Sequence, residues 1–211
     1  MAERSSVVLL LQQGVRARNE GRLAAAQASC AEVLQHEPEQ PQALHLMGQL
    51  ACDQGNLERA EEFLRRSLRA KPEQGQVWFR LGHVVEDQAR WADAELCYRR
   101  AVEMAPDVTE ALYNRARMLR QLGQLDEASR CVSKALGAMP RTPLLEVQLL
   151  QLRAHLEDDS GRLDLALATL DRAIQLAPQR AALHHNRGVL LQRQARPAEA
   201  LAALEIGRAH V

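Results

Sequence analysis

Aromatic residues are scarce in this chain: two each of Trp, Tyr and Phe, 3% of 211 residues. Broad sheet faces draw on β-branched and aromatic side chains, so a core that does without aromatics is better suited to closely packed helices. A surplus of either charge is missing too. Twenty-seven basic residues balance twenty-seven acidic ones, so the positive excess that a nucleic-acid backbone demands is absent and no nucleic-acid partner is expected. Near neutrality also does little to keep copies of the chain apart. Long apolar runs are lacking. The stretch Val7 to Leu11 is five residues long and is followed at once by Gln12 and Gln13, too short for a membrane span and without the cleavage signal of a leader. Cys30, Cys52, Cys97 and Cys131 form no CxxC pair and read as reduced packing thiols of a cytoplasmic protein.

Patterns that carry chemistry are equally sparse. His184 and His185 are neighbours and point to different sides of a helix, while His36, His45, His83, His155 and His210 are dispersed. None has the HExxH or Cys-His spacing of a metal site. No glycine-rich loop follows a strand. Glu58, Glu61 and Glu62 alternate with Arg59, Arg65 and Arg66 in the manner of surface ion pairs. The expectation is a protein with no catalytic residues, no metal and no cofactor.

What the chain does contain is a period. Pro38, Pro72, Pro106 and Pro140 stand 34 residues apart; Gly14, Gly48 and Gly82 repeat the interval, with Ala116 in the next equivalent place. Gly21, Gly55 and Gly123 form a third series, in which Ala89 stands in, and Ala26, Ala60, Ala94 and Ala128 form a fourth. Each series has a mechanical job. Small residues let two helices cross closely, glycine ends the first helix in a left-handed conformation, and proline stops the second. Between the markers the apolar spacing is helical: Leu44, Met47 and Ala51 share one stripe, and Leu57, Ala60, Leu64 and Leu68 another. Each unit is therefore a helix of about 12 to 14 residues, a tight turn and a second helix of similar length.

This pattern resembles the tetratricopeptide repeat, of the bacterial type, over nearly the whole chain. The third unit carries it best, with Trp78, Leu81, Gly82, Val85, Ala94, Tyr98, Ala101 and Pro106, and the fourth opens with Glu110-Ala111-Leu112-Tyr113-Asn114. The resemblance implies an all-α fold, a right-handed superhelical solenoid of antiparallel helix pairs. It implies one array over residues 1–211, with repeats at approximately 7–40, 41–74, 75–108, 109–142, 147–180 and 181–211, the last incomplete.

The register slips once. Pro178 lies 38 residues beyond Pro140, so four extra residues must be housed between Pro143 and Gly161. Thr142-Pro143 reads as a cap followed by a first-turn proline. Either the first helix gains a turn, or Glu157-Asp158-Asp159-Ser160 widens the turn between helices. Adjacent acidic residues gain little from packing and are unfavourable near a helix C-terminus, which favours the wider turn. In the sixth repeat, where Gly188, Ala200 and Leu204 match, Pro197 belongs to the turn or to the first turn of the following helix. The last residues, Glu205-Ile206-Gly207-Arg208-Ala209-His210-Val211, resemble the in-frame translation of a sequencing adapter, and the expectation is a parent protein that continues. An uncapped sixth repeat also predicts fraying or self-association.

In the family the first helix of each pair lines a concave groove. The matching positions here are Gln42, His45, Leu46 and Gln49, then Gln76, Phe79, Arg80, His83 and Asp87, then Glu110, Tyr113, Asn114, Arg117 and Arg120. Gln148, Gln151 and His155 follow, and then His185, Asn186 and Arg193. Phe79, Arg80, His83, Tyr113, Asn114, Arg117 and Arg120 are the expected peptide-binding residues. Two aromatics in adjacent repeats make a ledge for an apolar side chain, an amide holds peptide backbone, and guanidiniums pair with acidic groups. The chaperone-binding clamp of some relatives is absent, since its positions carry Leu11 and Val15, and an asparagine ladder is partial: Gln12, Leu46, Arg80, Asn114, Leu152, Asn186. The resemblance thus implies a scaffold for a protein or peptide, with neither membrane nor nucleic acid as partner. The alternative it implies is the N-terminal substrate-recruiting domain of a larger enzyme, a glycosyltransferase, sulfotransferase or aspartyl/asparaginyl hydroxylase.

Overall fold

A computed structural model describes residues 2–105, 108–138 and 142–209, with the backbone alone for residues 2–5. Among the described residues there are twelve helices and no strand: α1 Ala2–Asn19, α2 Leu23–His36, α3 Pro41–Asp53, α4 Leu57–Ala70, α5 Gly75–Asp87 and α6 Trp91–Met104, then α7 Thr109–Gln121, α8 Leu125–Gly137, α9 Pro143–Asp159, α10 Leu163–Leu176, α11 Ala181–Arg193 and α12 Pro197–Ala209. The chain forms two compact units, Met1–Pro106 and Asp107–Val211. Within each, a first helix packs on its own second helix, and that second helix on the first helix of the next pair. The fold is an all-α repeat solenoid.

Helix α4 shows why these segments are helical and where they stop. Its buried residues Ala60, Leu64, Ser67 and Leu68 recur at three- and four-residue spacing along one face. The Asn56 side chain caps the start, accepting from the Arg59 amide at 3.0 Å. The helix ends at Ala70 because Lys71 precedes a proline and is held extended, at φ −148° and ψ 102°. Even the buried hydroxyl on that face is satisfied: Ser67 donates to the Pro41 carbonyl at 2.8 Å and accepts from the Gln74 amide at 3.1 Å. Truncating Leu64 to alanine in this setting costs about 2–5 kcal/mol.

Where the two helices of a pair cross, residue sizes are matched. A Cβ on Gly48 would stand 2.8 Å from the Leu64 side chain, on Gly82 2.6 Å from the Tyr98 ring, and on Gly188 2.7 Å from Leu204. In the fourth pair, where Val132 stands one period beyond Tyr98, the buried alanine Ala116 takes the glycine's place. The turns within pairs are left-handed. Gly21, Gly55, Gly123 and Gly161 have φ of 74, 72, 73 and 73°, and two alanines take the same conformation, Ala89 at 58° and Ala195 at 56°.

The expected wide turn after Pro143 is not what forms. Helix α9 runs Pro143–Asp159, 17 residues where α7 and α11 have 13, so the four extra residues lengthen the first helix. Four residues are close to one helical turn, so the packed face is nearly preserved. The acidic run is tolerated because each member finds a partner. Glu157, only 5% exposed, accepts from Arg153 at 2.9 Å and Thr169 at 2.7 Å. Asp159 accepts from Arg120 at 2.6 Å, and Asp158 pairs with Arg193. Thr142 does cap α9, accepting from the Leu145 amide at 3.2 Å, with Pro143 as the first helical residue. Pro197 is the first residue of α12. Pro106 and Pro140, expected as helix stops, lie outside the described residues, as do His210 and Val211 of the terminal heptapeptide.

All four cysteines are free. Burial pushes the Cys30 thiol up to about 11 and that of Cys97 to about 12, so both remain protonated packing groups. Among the described residues, no helix is long and apolar enough to cross a membrane.

Candidate functional site

In the first unit, the first helices α1 and α3 lie side by side and enclose a groove of about 790 Å³. Its apolar lining is Val8, Leu11 and Val15 from α1 and Leu46 from α3; Gln42, His45 and Gln49 supply polar groups. A chain of hydrogen bonds fixes that polar edge. Arg18 donates to both carboxylate oxygens of Asp53, at 2.6 and 3.0 Å, and to the Gln49 oxygen at 3.1 Å. The Gln49 amide nitrogen is therefore the group that meets His45 Nε2, at 2.9 Å. Nε2 must accept, so His45 is neutral and carries its proton on Nδ1. Burial, and then the positive charges of Arg80 and Arg18, push His45 down to about 4.

On α5 of the same unit, Phe79 packs edge-on against His83, ring centres 4.6 Å apart, and lies 5.7 Å from Tyr98. The Tyr98 hydroxyl donates to Glu86 at 2.6 Å. Its single proton is thereby committed, so the His83 Nδ1–H, 3.2 Å away, donates to the same oxygen. Phe79 thus belongs to an aromatic cluster seated over Gly82, while His83 is exposed and Arg80 half-buried.

The second unit holds a more polar cavity of about 330 Å³. Helix α7 contributes Tyr113, Arg117, Arg120 and Gln121, α9 contributes Gln148, Gln151, Leu152 and His155, and Arg180 closes it from the cap position of α11. The Arg117 guanidinium lies 5.8 Å from the centre of the Tyr113 ring, within range of a cation–π contact. Arg120 grips Asp159 through two nitrogens, at 2.6 and 3.3 Å. Asn186 Nδ2 donates to His155 Nε2 at 3.0 Å, which makes this histidine neutral as well. Burial, followed by the charge of Arg120, lowers its proton affinity further. Arg180 makes no ion pair among the described residues. Arg117, Arg120 and Arg180 thus line a cavity floored by carboxamides, and the two carboxylates beside it, Asp158 and Asp159, are held by Arg193 and Arg120. An anion and a peptide backbone are the groups the cavity complements.

Of the residues expected from sequence, Tyr113, Arg117 and Arg120 come together with Gln148, Gln151 and His155 in this cavity. Asn114, 7% exposed, is not among its lining. Phe79, Arg80 and His83 stand in the other unit. Sequence reasoning missed Arg180, which precedes the sixth repeat by one residue at a position the groove pattern does not include. The apolar floor of the α1–α3 groove was visible in Leu11 and Val15, which had signified only the absence of a clamp. Among the described residues, no group of three or more His, Cys, Asp or Glu side chains is placed to hold a metal ion.

Models of the tetratricopeptide repeat match residues 17–81, 79–138 and 147–180. The chain belongs to the tetratricopeptide repeat family. No curated protein sequence matches it. Among solved structures it is similar to a tetratricopeptide repeat protein from Parabacteroides merdae, with TM-score 0.78 and 22% identity over 95% of this chain and 78% of that one. It is also similar to PilF of Pseudomonas aeruginosa, with TM-score 0.75 and 16% identity over 100% of this chain and 94% of that one. A third similar structure is YrrB, described as a repeat protein of this family with an unusual peptide-binding site, at TM-score 0.69 and 18% identity over 84% of this chain and 90% of that one. At these identities the likeness is one of fold. In the repeat's terms, both cavities lie on the first helices of their pairs.

Proposed function

We propose that the chain is a scaffold that binds a protein or peptide on the faces of its first helices, and that the bound segment carries acidic groups. The observation that carries this reading is the α7–α9 cavity, where Arg117, Arg120 and Arg180 line one space with Gln148 and Gln151, while Asp159 and Asp158 beside it are already held by Arg120 and Arg193. An extended peptide needs partners for its backbone amides and a seat for its side chains; carboxamides provide the first, and Tyr113 beneath Arg117 the second. Arg180, which makes no ion pair among the described residues, then receives the acid. In the first unit the α1–α3 groove accepts apolar side chains on Val8, Leu11 and Val15, and Phe79, Arg80 and His83 offer further contacts from α5. That YrrB, similar in fold, has a peptide-binding site supports this use of the architecture. In this reading the protein binds and does not catalyse.

The test is the double substitution Arg117→Ala, Arg180→Ala, followed by calorimetry with an acidic peptide selected on an array. Hydrogen bonds to charged groups are worth about 1.5–3 kcal/mol each, so affinity should fall by about tenfold or more per arginine while helicity is retained. Unchanged affinity in the double variant refutes the assignment. A second contact, between copies of this chain, is supported by the exposed Val189 of α11 and by Leu201 and Ile206 of α12, Leu201 being 57% exposed. Leu201→Glu should then lower the sedimentation coefficient at high concentration; equal values for both proteins reject this contact.

A further inference from the structure

Away from both grooves, between the second helices α4 and α6 of the first unit, lies a cleft of about 340 Å³. Trp78 and Leu81 of α5 line it, together with Leu68 of α4 and Leu96 and Cys97 of α6. The one polar atom of the Trp78 ring is already spent, since its indole N–H donates to the Pro72 carbonyl at 2.9 Å. What Trp78 offers the cleft is therefore apolar. Leu81, Leu68 and Cys97 are buried, whereas Leu96 is 39% exposed and stands at the rim. An apolar cleft of this size has room for one or two large side chains, and sits at the small end of ligand sites, which run from roughly 300 to 1,000 Å³.

The charges around the cleft do not cancel. Arg65 pairs with Glu61 at 2.7 Å, and Arg90 pairs with both Glu61, at 2.7 Å, and Asp93. Arg69, one turn beyond Arg65 on α4 and also lining the cleft, is exposed and makes no ion pair among the described residues. Arg65, Arg69 and Arg90 against Glu61 and Asp93 leave one positive charge, and it belongs to Arg69. An apolar slot between two helices with one uncommitted cation at its edge complements a third helix. The visitor's apolar side chain enters the slot, and a carboxylate three or four residues away on the same face reaches the cation.

We propose that the α4–α6 cleft is a second docking site, which receives an apolar side chain of an acidic amphipathic helix and pairs Arg69 with a carboxylate of that helix. This surface shares no lining residue with the two grooves, so it stands or falls independently of the peptide-binding reading.

The experiment uses the full chain carrying Trp91→Phe, so that tryptophan emission reports Trp78 alone. The probes are two synthetic helices with leucines along one face, and glutamates in one or lysines in the other at the remaining positions. The glutamate helix should shift Trp78 emission saturably and the lysine helix should not. Leu96→Glu and Arg69→Glu should each weaken the glutamate helix by about tenfold, the loss of one charged or apolar contact, while Arg69→Lys retains most of the affinity. Arg117→Ala, in the other unit, should leave the titration unchanged. The proposal is overturned if the glutamate helix produces no saturable shift, if Arg69→Glu binds as well as the parent, if both helices bind alike, or if the loss follows Arg117→Ala.

Discussion

Five turns within helix pairs carry either glycine or alanine in the left-handed region, and a sixth, at Ala195, repeats the alanine; exchanging the two residues weighs the cost of that conformation. An L-residue there is disfavoured by about 1–2 kcal/mol relative to the right-handed form. Glycine avoids that cost but gives up about 0.4–1 kcal/mol through the greater freedom of its unfolded chain. Ala89→Gly, at φ 58°, should therefore stabilise the protein by about 0.5–1 kcal/mol net. Gly55→Ala should destabilise it by a similar amount, and no clash confuses the comparison because a Cβ there meets nothing within 4 Å. For a chain of this length the expected shifts in Tm are about 1–4 °C, upward and downward respectively. Ala195→Gly should add to Ala89→Gly, because the two turns lie in different units and distant sites combine within a few tenths of a kcal/mol. The assay is urea unfolding followed by far-ultraviolet circular dichroism, with the m value unchanged across the set. A lower midpoint for Ala89→Gly, or a higher one for Gly55→Ala, would show that something other than the left-handed conformation sets the stability of these turns.

Two further outcomes follow from the same structure. His45 is held neutral, its proton affinity pushed down to about 4, whereas in the unfolded chain it titrates near its ordinary value of about 6.5. The unfolded state takes up the proton first, so the stability is full above about pH 6.5 and declines as the pH falls toward 4, by on the order of 2 kcal/mol after allowance for partial exposure. His45→Gln should flatten this slope in denaturation measured across that range; an identical slope in both proteins means that His45 is not its source. Asp159→Asn removes the carboxylate gripped by Arg120 and should cost no more than about 1 kcal/mol of stability, as partly exposed pairs do. It should also tighten binding of an acidic peptide several-fold by releasing Arg120 to the cavity, and calorimetry showing weaker or equal binding would count against an anionic ligand there.

How much of this was written in the order of residues can be judged from particular places. The 34-residue period located the helix pairs because the devices that end a helix act over a few positions: Gly55 adopts its left-handed turn unaided, Lys71 is held extended by the proline that follows it, and Thr142 caps the amide of Leu145. Close crossings at Gly48 and Gly82 were legible for the same reason, since only small residues recur there. The acidic run at the end of α9 was misplaced because the partners of Asp158 and Asp159 are remote. Arg120 lies 39 residues before Asp159 and Arg193 lies 35 residues after Asp158, and only packed first helices bring them together. The same contacts decide which groove residues remain available to a ligand: Arg120 is engaged and Arg180, unremarkable in sequence, closes the cavity. The sequence by itself determined the helices, their pairing and their turns, because those depend on short-range sterics and backbone hydrogen bonds. Tertiary structure alone decided the division into two units, the length of α9 and which carboxylates Arg120 and Arg193 engage, because an ion pair forms according to distance in space and not along the chain.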